Sequence, residues 1–546
     1  MDDPSAVMKV EWREWGAAAF EEARADDTPV LLSITAAWCG WCQTMDATTY
    51  ADPGIAAMVN HDFVPVRADA DRYPRVRDRY NVGGFPSTIF LTPDGHLVAA
   101  ASFLEDEQLR QMLTSITDRW EEEGDDLGRL PHTLRDGDPP EGPVTADIER
   151  YINGQVDAQF DDEYAGWGTE AKFPLPVTVE FALKRHQETA TDTLDAIRDH
   201  LFDPVDGGFF RHAGARDWSD PTREKLLDVN AGLLRAFAHA YLVTGDPGYR
   251  DVAARTVGYL ADTLWTGDGF ATSQLPGEYF ELSPSDRRRA EAPPTDGTVY
   301  AGPTAQAADA LTWFVAYTDD ETASDLATST LDLLEREFVD DGVVAHTPGE
   351  AEEIILAAQA PVVEAFASAA QVLDSSYAET AAAVAEATID HLRTDTGAFR
   401  DGPAAGPALL DRPLYPIDDN ARIADALVDL HHLTGEDRYL DGATEVVGAF
   451  AGAADQMGPQ VAGYGTVASR VVRHPLVVAV GTAPGADLHR AALRMADHEK
   501  VVVPESDGVD EGCAALLTPD GPVGEARSPE ELASLVVEYE PRERSG

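Results

Sequence analysis

Three cysteines in 546 residues, Cys39, Cys42 and Cys513, are too few for a disulfide-stapled scaffold. Lysine is almost as scarce: it stands only at positions 9, 172, 184, 225 and 500, and arginine supplies the rest of the positive charge. Against 41 Lys and Arg there are 98 Asp and Glu, a formal net charge of −57. Such a surface repels a phosphate backbone, so nucleic acid is not an expected partner. It suits concentrated salt, where the Debye length shrinks to ~3 Å at 1 M and like charges are screened. The expectation is an acidic, halophilic, cytoplasmic protein. No apolar run approaches the ~18 residues of a membrane span, so no membrane partner is expected either. Met1-Asp2-Asp3-Pro4 lacks the basic start and apolar run of a secretory leader.

What is present allows large cores, since 44% of the residues are hydrophobic. The sharpest chemistry lies between Val30 and Cys42. Val30-Leu31-Leu32-Ser33-Ile34 reads as a buried strand, Trp38-Cys39-Gly40-Trp41-Cys42 follows, and the next residues look helical. A cysteine pair at a strand-to-helix junction makes a reactive thiol, because the helix N-terminus offers free N–H groups and partial positive charge to a thiolate. Cys39, the exposed member by this reading, is expected to attack, and Cys42, one turn in, to resolve the mixed disulfide. A zinc site would want two more ligands, and nothing in the spacing of Cys513 or His61 recommends them. No metal and no cofactor are expected.

Around the pair the pattern predicts a helix over 12–25, the strand, a helix over 43–58, a strand over 61–69 and a short helix over 73–80. A hairpin with strands at 89–91 and 96–101 and a helix over 105–120 complete the unit. With Trp38-Cys39-Gly40, Cys42 and Gly84-Phe85-Pro86-Ser87-Thr88, this order resembles thioredoxin. The resemblance implies a cis peptide before Pro86, which would lie against the cysteines and present a substrate backbone. Trp38, Cys39, Cys42 and Pro86 are the candidate catalytic residues. Ser33 stands where thioredoxins carry a buried acid and Trp41 where they carry proline, so thioredoxin's proton handling and potential do not transfer.

Residues 1–120 are therefore assigned to a thioredoxin-like domain and 121–143, rich in Asp, Glu, Gly and Pro, to a linker. Over 144–455 helix-length patterns come in pairs, one of them spanning 350–373. Tyr241-Leu242-Val243-Thr244-Gly245-Asp246 echoes His432-Leu433-Thr434-Gly435-Glu436, each closing a helix with glycine. Repeated helical hairpins suggest an (α/α)6 toroid, and 456–546 reads as a small C-terminal α/β annex associated with it. Trp15-Gly16, the Cys39–Cys42 box with Trp41, Gly166-Trp167-Gly168 with Lys172-Phe173-Pro174, Gly207-Gly208-Phe209, Glu224-Lys225-Leu226-Leu227 and Asp419-Asn420-Ala421 together resemble the spermatogenesis-associated protein 20 family. That family joins a thioredoxin-like domain to a six-hairpin barrel like those of glycosidases and N-acylglucosamine 2-epimerases. Two histidines of the family's cysteine box are replaced here by Gly40 and Gln43.

The expected function is thiol–disulfide oxidoreduction by the Cys-Gly-Trp-Cys motif, with a disulfide-containing protein or small thiol as partner. The alternatives are a carbohydrate-active epimerase or hydrolase with a regulatory thioredoxin-like domain, and a non-catalytic binding protein. For a carbohydrate-like ligand in the barrel, the candidate cavity residues are Lys172, Glu224, Lys225, Asp228 and Asn420. Glu224 and Asp228, one helical turn apart, are the carboxylate pair such chemistry would use.

Overall fold

The computed structural model describes residues 9–134, 137–349, 353–519 and 521–539. Met1–Pro4 and the first residues of the helix expected over 350–373 lie outside them. The chain divides into two compact units: Met1–Asp138 with Arg400–Leu414, and Pro139–Phe399 with Tyr415–Gly546.

In the first unit, β1 (Arg13–Glu14), α1 (Ala17–Asp26), β2 (Val30–Thr35), α2 (Gly40–Ala47), α3 (Pro53–Asp62), β3 (Val64–Asp69), α4 (Pro74–Tyr80), β4 (Ser87–Leu91), β5 (Leu97–Ala101) and α5 (Asp106–Glu123) follow one another. The sheet has the order β1-β3-β2-β4-β5, with β2 parallel to β3 and antiparallel to β4. β2 is paired on both edges and covered on both faces, which is why it reads as an unbroken apolar run. The helix expected over 12–25 begins only at Ala17, because Arg13 and Glu14 pair with Val66 and Arg67 as a short parallel strand.

Two results concern the stretches assigned from sequence to the linker and the barrel. Leu97 and Arg129 exchange both backbone hydrogen bonds, at 2.7 and 3.0 Å, so the chain after α5 stays on this unit's sheet edge. Residues 400–414 also belong here. Arg75 and Arg79 are buried, and both bond Asp401: Arg75 Nε at 2.9 Å, Arg79 Nη1 at 2.5 Å and Nη2 at 3.1 Å. Their remaining N–H groups donate to the carbonyls of Pro403, Leu409, Leu410 and Arg412. Two buried guanidiniums need a charge and several acceptors, and this loop supplies both.

The second unit contains α6 (Ala146–Ala158), α7 (Pro176–Arg185), α8 (Gln187–His200), α9 (Leu227–Thr244), α10 (Pro247–Tyr259), the one-turn α11 (Pro284–Arg287), α12 (Ala301–Thr318), α13 (Glu321–Glu337), α14 (Leu356–Val372), α15 (Tyr377–Leu392), α16 (Ile417–Thr434), α17 (Asp437–Phe450) and α18 (Ala462–Val472). Helices α7, α9, α12, α14, α16 and α18 each pack on the next, and α18 packs back on α7. That ring, with α6, α8, α10, α13, α15 and α17 outside it, is an (α/α)6 toroid. Inner helices such as α12 and α14 are buried nearly all round and are accordingly alanine-rich, whereas outer helices such as α13 and α17 are amphipathic.

Small hairpins lead from outer to inner helices, bridged at Phe160–Trp167, Phe202–Phe209, Trp265–Phe270 and Arg393–Phe399. Between α8 and α12 the short strands β6 (Lys225–Leu226), β7 (Ser273–Gln274) and β8 (Thr295–Asp296) form a three-stranded sheet, and β9 (Val339–Asp340) pairs with β10 (Val343–Val344) after α13. In the Gly207-Gly208 turn both residues have positive φ, and a Cβ on Gly208 would lie 2.5 Å from the Tyr259 ring.

One clamp is repeated. Asn230 Oδ1 accepts the Phe209 N–H at 2.7 Å, and its Nδ2 donates to the carbonyls of Phe209 and Leu226. Asn420 does the same, 21 residues after Phe399, with Pro416 as the second carbonyl. Asn230→Ala or Asn420→Ala orphans buried backbone groups, at about 1–3 kcal/mol each. A lowered urea midpoint with an unchanged slope is the expected measurement.

The annex comprises β11 (Val477–Val480), α19 (Asp487–Leu493), β12 (Val501–Val503), β13 (Ala514–Thr518), β14 (Gly521–Ala526) and α20 (Pro529–Glu538). Its sheet runs β12-β11-β13-β14, and only the β11–β12 pair is parallel. Among the described residues no helix is long and apolar enough to cross a membrane.

Candidate functional site

Cys39 caps the N-terminus of α2, and its Sγ accepts the Cys42 N–H at 3.0 Å. The two sulfurs are joined as a disulfide. Each cysteine is 4% exposed, so the expected difference in exposure is not found; they differ in position, Cys39 capping the helix and Cys42 lying in its first turn. Trp38, buried, donates from Nε1 to Asp71 at 2.8 Å and meets Phe85 edge-on at 5.4 Å. The Phe85–Pro86 peptide is cis. The Cys pair and the proline turn are thus linked through the Trp38–Phe85 contact. Trp41, at 65% exposed, touches Phe103 and presents an apolar surface beside the cysteines. Ser33 is fully buried in β2. Near it, burial pushes the Tyr50 phenol up, against the Thr88 and Ser33 hydroxyls. No carboxylate occupies the place of the buried acid.

The polar atoms of four of the five barrel candidates are already used inside the fold, and the fifth, Asp228, lies on the surface. Lys172 Nζ donates to Asp161 at 2.8 Å and to the Ala165 carbonyl at 2.9 Å. Lys225 Nζ repeats this with Asp203 at 2.8 Å and the Gly207 carbonyl at 2.7 Å. Each aspartate also takes an arginine, Arg216 on Asp161 and Arg287 on Asp203. Glu224 pairs with Arg211 at 3.3 Å, Asp228 is exposed and bonds the Val229 N–H, and Asn420 is the clamp described above. None of the five lines the barrel cavity.

That cavity has a volume of about 320 Å³, within the range of small-molecule sites. Its lining runs from the first turns of α7, α16 and α18 to His498, Glu499 and Lys500, just before β12. The annex thus forms part of its wall. Arg235 holds Glu180 through Nε at 2.9 Å and Nη2 at 3.0 Å, and its Nη1 reaches Asp309 at 2.7 Å and Glu364 at 2.6 Å. Arg422 bonds Glu364, and Arg470 bonds both Asp425 and Asp429. Gln371 joins the annex to this centre: its Oε1 accepts the Val502 N–H at 3.0 Å, and its Nε2 donates to Asp429 at 3.2 Å. Burial, with Asp425 beside it, pushes Asp429 up to about 6 against the pull of Arg470. Glu364, also buried, is held down to about 2 by Arg422 and Arg235. Burial lowers Lys500 to about 7. These residues were missed because sequence reasoning looked at helix starts. The available signal was Arg422, Asp425 and Asp429 at three- and four-residue steps along one face of an otherwise Ala-rich helix.

Burial also lowers His498 to about 4, and pushes His239 and His489 below the ordinary value of ~6.5. A depressed histidine stabilises the fold fully above its unfolded pKa, and that contribution is lost as pH falls from ~6.5 through the folded value. Asp429, Asp425, Glu180 and Asp309, all raised by burial, act the other way, recovering stability as pH falls. The histidine side is read group by group: an NMR titration of the imidazoles should show His498 still neutral at pH 5, and a midpoint near the ordinary ~6.5 would contradict this assignment.

Residues 4–136 match the family model described as "Protein of unknown function, DUF255". The chain is 29% identical over 300 residues to human spermatogenesis-associated protein 20, covering 47% of this chain and 38% of the relative. It thus spans under two fifths of that relative's length, and the similarity read from the motifs is found again in the comparison of sequences. It is also 27% identical over 92 residues to thioredoxin-1 of Drosophila melanogaster, covering 17% of this chain and 82% of the relative. A sugar epimerase from a ruminal bacterium aligns with a TM-score of 0.46 at 13% identity, over 55% of this chain and 85% of that one.

Proposed function

We propose that the first unit is a thiol–disulfide exchange module that reduces a disulfide-containing protein or a small disulfide. The observation that carries this is the Cys39–Cys42 pair across the first turn of α2, with Cys39 Sγ receiving the Cys42 N–H. In the reduced form the same N–H and the helix terminus favour a thiolate on Cys39. That thiolate attacks one substrate sulfur, and the other leaves as a thiolate that takes a proton from water. Cys42, deprotonated, then attacks Cys39 Sγ and releases the second substrate thiol, leaving the Cys39–Cys42 disulfide. Two electrons pass to the substrate. With Ser33 in place of an acid, the Cys42 proton goes to solvent, so resolution is the slower step. A dithiol must reload the pair, which fits a reducing, cytoplasmic compartment.

The barrel supports a second, compatible reading, a binding site for a carbohydrate-like ligand. Its support is the 320 Å³ cavity, which combines one indole face, Trp313, with converging carboxylates and guanidiniums.

The test of the first reading is turnover. Protein supplied with a chemical dithiol should reduce an inter-chain protein disulfide faster than the dithiol alone. No acceleration at any pH from 6 to about 9, spanning the free-thiol value of ~8.5, would overturn it.

A further inference from the structure

Five carboxylates converge on the barrel axis: Glu180 of α7, Asp309 of α12, Glu364 of α14, and Asp425 and Asp429 of α16. Three guanidiniums answer them: Arg235 of α9, Arg422 of α16 and Arg470 of α18. Each guanidinium is already engaged by at least one carboxylate, so the wall holds no spare positive charge for an anionic ligand. Lys500 does not change this balance, because its amine donates to the Asp497 carbonyl at 3.0 Å and burial favours its neutral form. Glu499 is matched separately by Arg185 at 2.6 Å and Lys184 at 3.1 Å. Five carboxylates against three guanidiniums leave the excess of acidic groups at the cavity centre. Burial pushes Glu180, Asp309, Asp425 and Asp429 towards their neutral forms there, and an entering cation would favour the ionised ones. Beside this centre the Trp313 ring lines the cavity, backed by Tyr317 at 5.9 Å, and offers an aromatic face that attracts a cation. Arg470 Nε, buried in the wall, makes no hydrogen bond, and a ligand hydroxyl would satisfy it.

We propose that the barrel cavity binds a small hydroxylated organic cation, a primary amine of about monosaccharide size. Its ammonium group neutralises the carboxylate surplus at Asp425, Asp429 and Glu364, and its hydroxyls meet the remaining polar wall. This names a ligand class for the barrel reading above and rests on it. Anions meet guanidiniums already engaged by carboxylates, and a neutral polyol leaves the excess of acidic groups uncompensated.

The proposal has a proton signature. Asp429 is faced by Asp425 on its own helix, Glu364 from α14, Arg470 from α18 and the neutral Gln371 from α14; Glu499, before β12, adds its charge through Asp425. Its proton, held up to about 6, leaves as the ammonium group enters. Affinity should then rise about tenfold from pH 5 to pH 7, following the ionised fraction of one group.

Titration calorimetry of the full chain in fixed high salt, with glucosamine, glucose and glucuronate, varies charge on one ring size. Glucosamine is expected to bind at least about tenfold more tightly than glucose, with glucuronate silent. Its heat at pH 6 should depend on the buffer's ionisation enthalpy, reporting proton release. Asp429→Asn should flatten the pH dependence, and where that variant does not fold, the buffer-dependent heat of the unmodified protein reads the same proton. Glucose binding as tightly as glucosamine, or glucuronate binding more tightly, would overturn the charge assignment and leave the barrel a ligand site. Silence from all three would overturn both.

Discussion

Asp203→Ala is expected to be among the most damaging single substitutions in the second unit. Asp203 is fully buried and accepts from Lys225 Nζ at 2.8 Å and from Arg287 Nη1 at 2.9 and 2.7 Å. Lys225 is fully buried too, and its ammonium lies 4.7–5.2 Å from the ring centroids of Tyr259, Phe280 and Phe210. Those faces attract the cation but do not neutralise it. Without Asp203, Lys225 keeps only the Gly207 carbonyl, and Arg287 keeps Asp206 and the Phe280 carbonyl. Removing one partner of a buried ion pair costs about 3–5 kcal/mol, a large share of the 5–15 kcal/mol that holds a typical domain. Denaturant unfolding in fixed salt should show this loss, while Asp162→Ala, one loop away and exposed, should change little. Near-equal effects of the two would mean that the Asp203–Lys225–Arg287 cluster is not a structural clasp.

The second large effect is on chemistry. Cys39→Ser removes the attacking sulfur and should abolish disulfide reduction to background. Cys42→Ser keeps the attack and removes the resolution, so it should accumulate a mixed disulfide with its substrate, visible as an added mass that a reductant releases. The two variants are thus expected to share a loss of turnover and to differ in the trapped species. If Cys42→Ser accumulates nothing and Cys39→Ser does, the roles are reversed. Both sulfurs are equally buried, so their order rests on Cys39 being the N-cap of α2.

Much of this was legible because it is local. Whereas the cis peptide before Pro86 was implied by the resemblance to thioredoxin, the strand at Val30–Ile34, the Cys pair at its end and the paired helices follow from short patterns with a physical cause. The glycine turn at 207–208 announced itself in the same way. The misreadings were of non-local balance. Arg13 and Glu14 look helical with their neighbours, but strand β3 offers them a ladder 53 positions away. Lys172, Glu224, Lys225 and Asn420 carry functional-looking chemistry, yet partners 11–22 residues away absorb their polar groups. Arg75 and Arg79 meet Asp401 more than 320 residues away, a distance no local pattern reports. The charged axis at Arg235, Glu364, Asp425 and Arg470 stayed hidden because each residue looks like a solvated charge on a helix. Only ring closure turns those faces inward.

The exchange reading rests on Cys39 being a stabilised thiolate in the reduced protein. Its most direct test is the rate of alkylation of Cys39 against pH, in fully reduced protein with Cys513 replaced by alanine and the alkylated cysteine identified by mass. The predicted result is a single titration at least one unit below the free-thiol value of ~8.5, with Cys39 modified before Cys42. A midpoint at or above ~8.5, or preferential modification of Cys42, would contradict it.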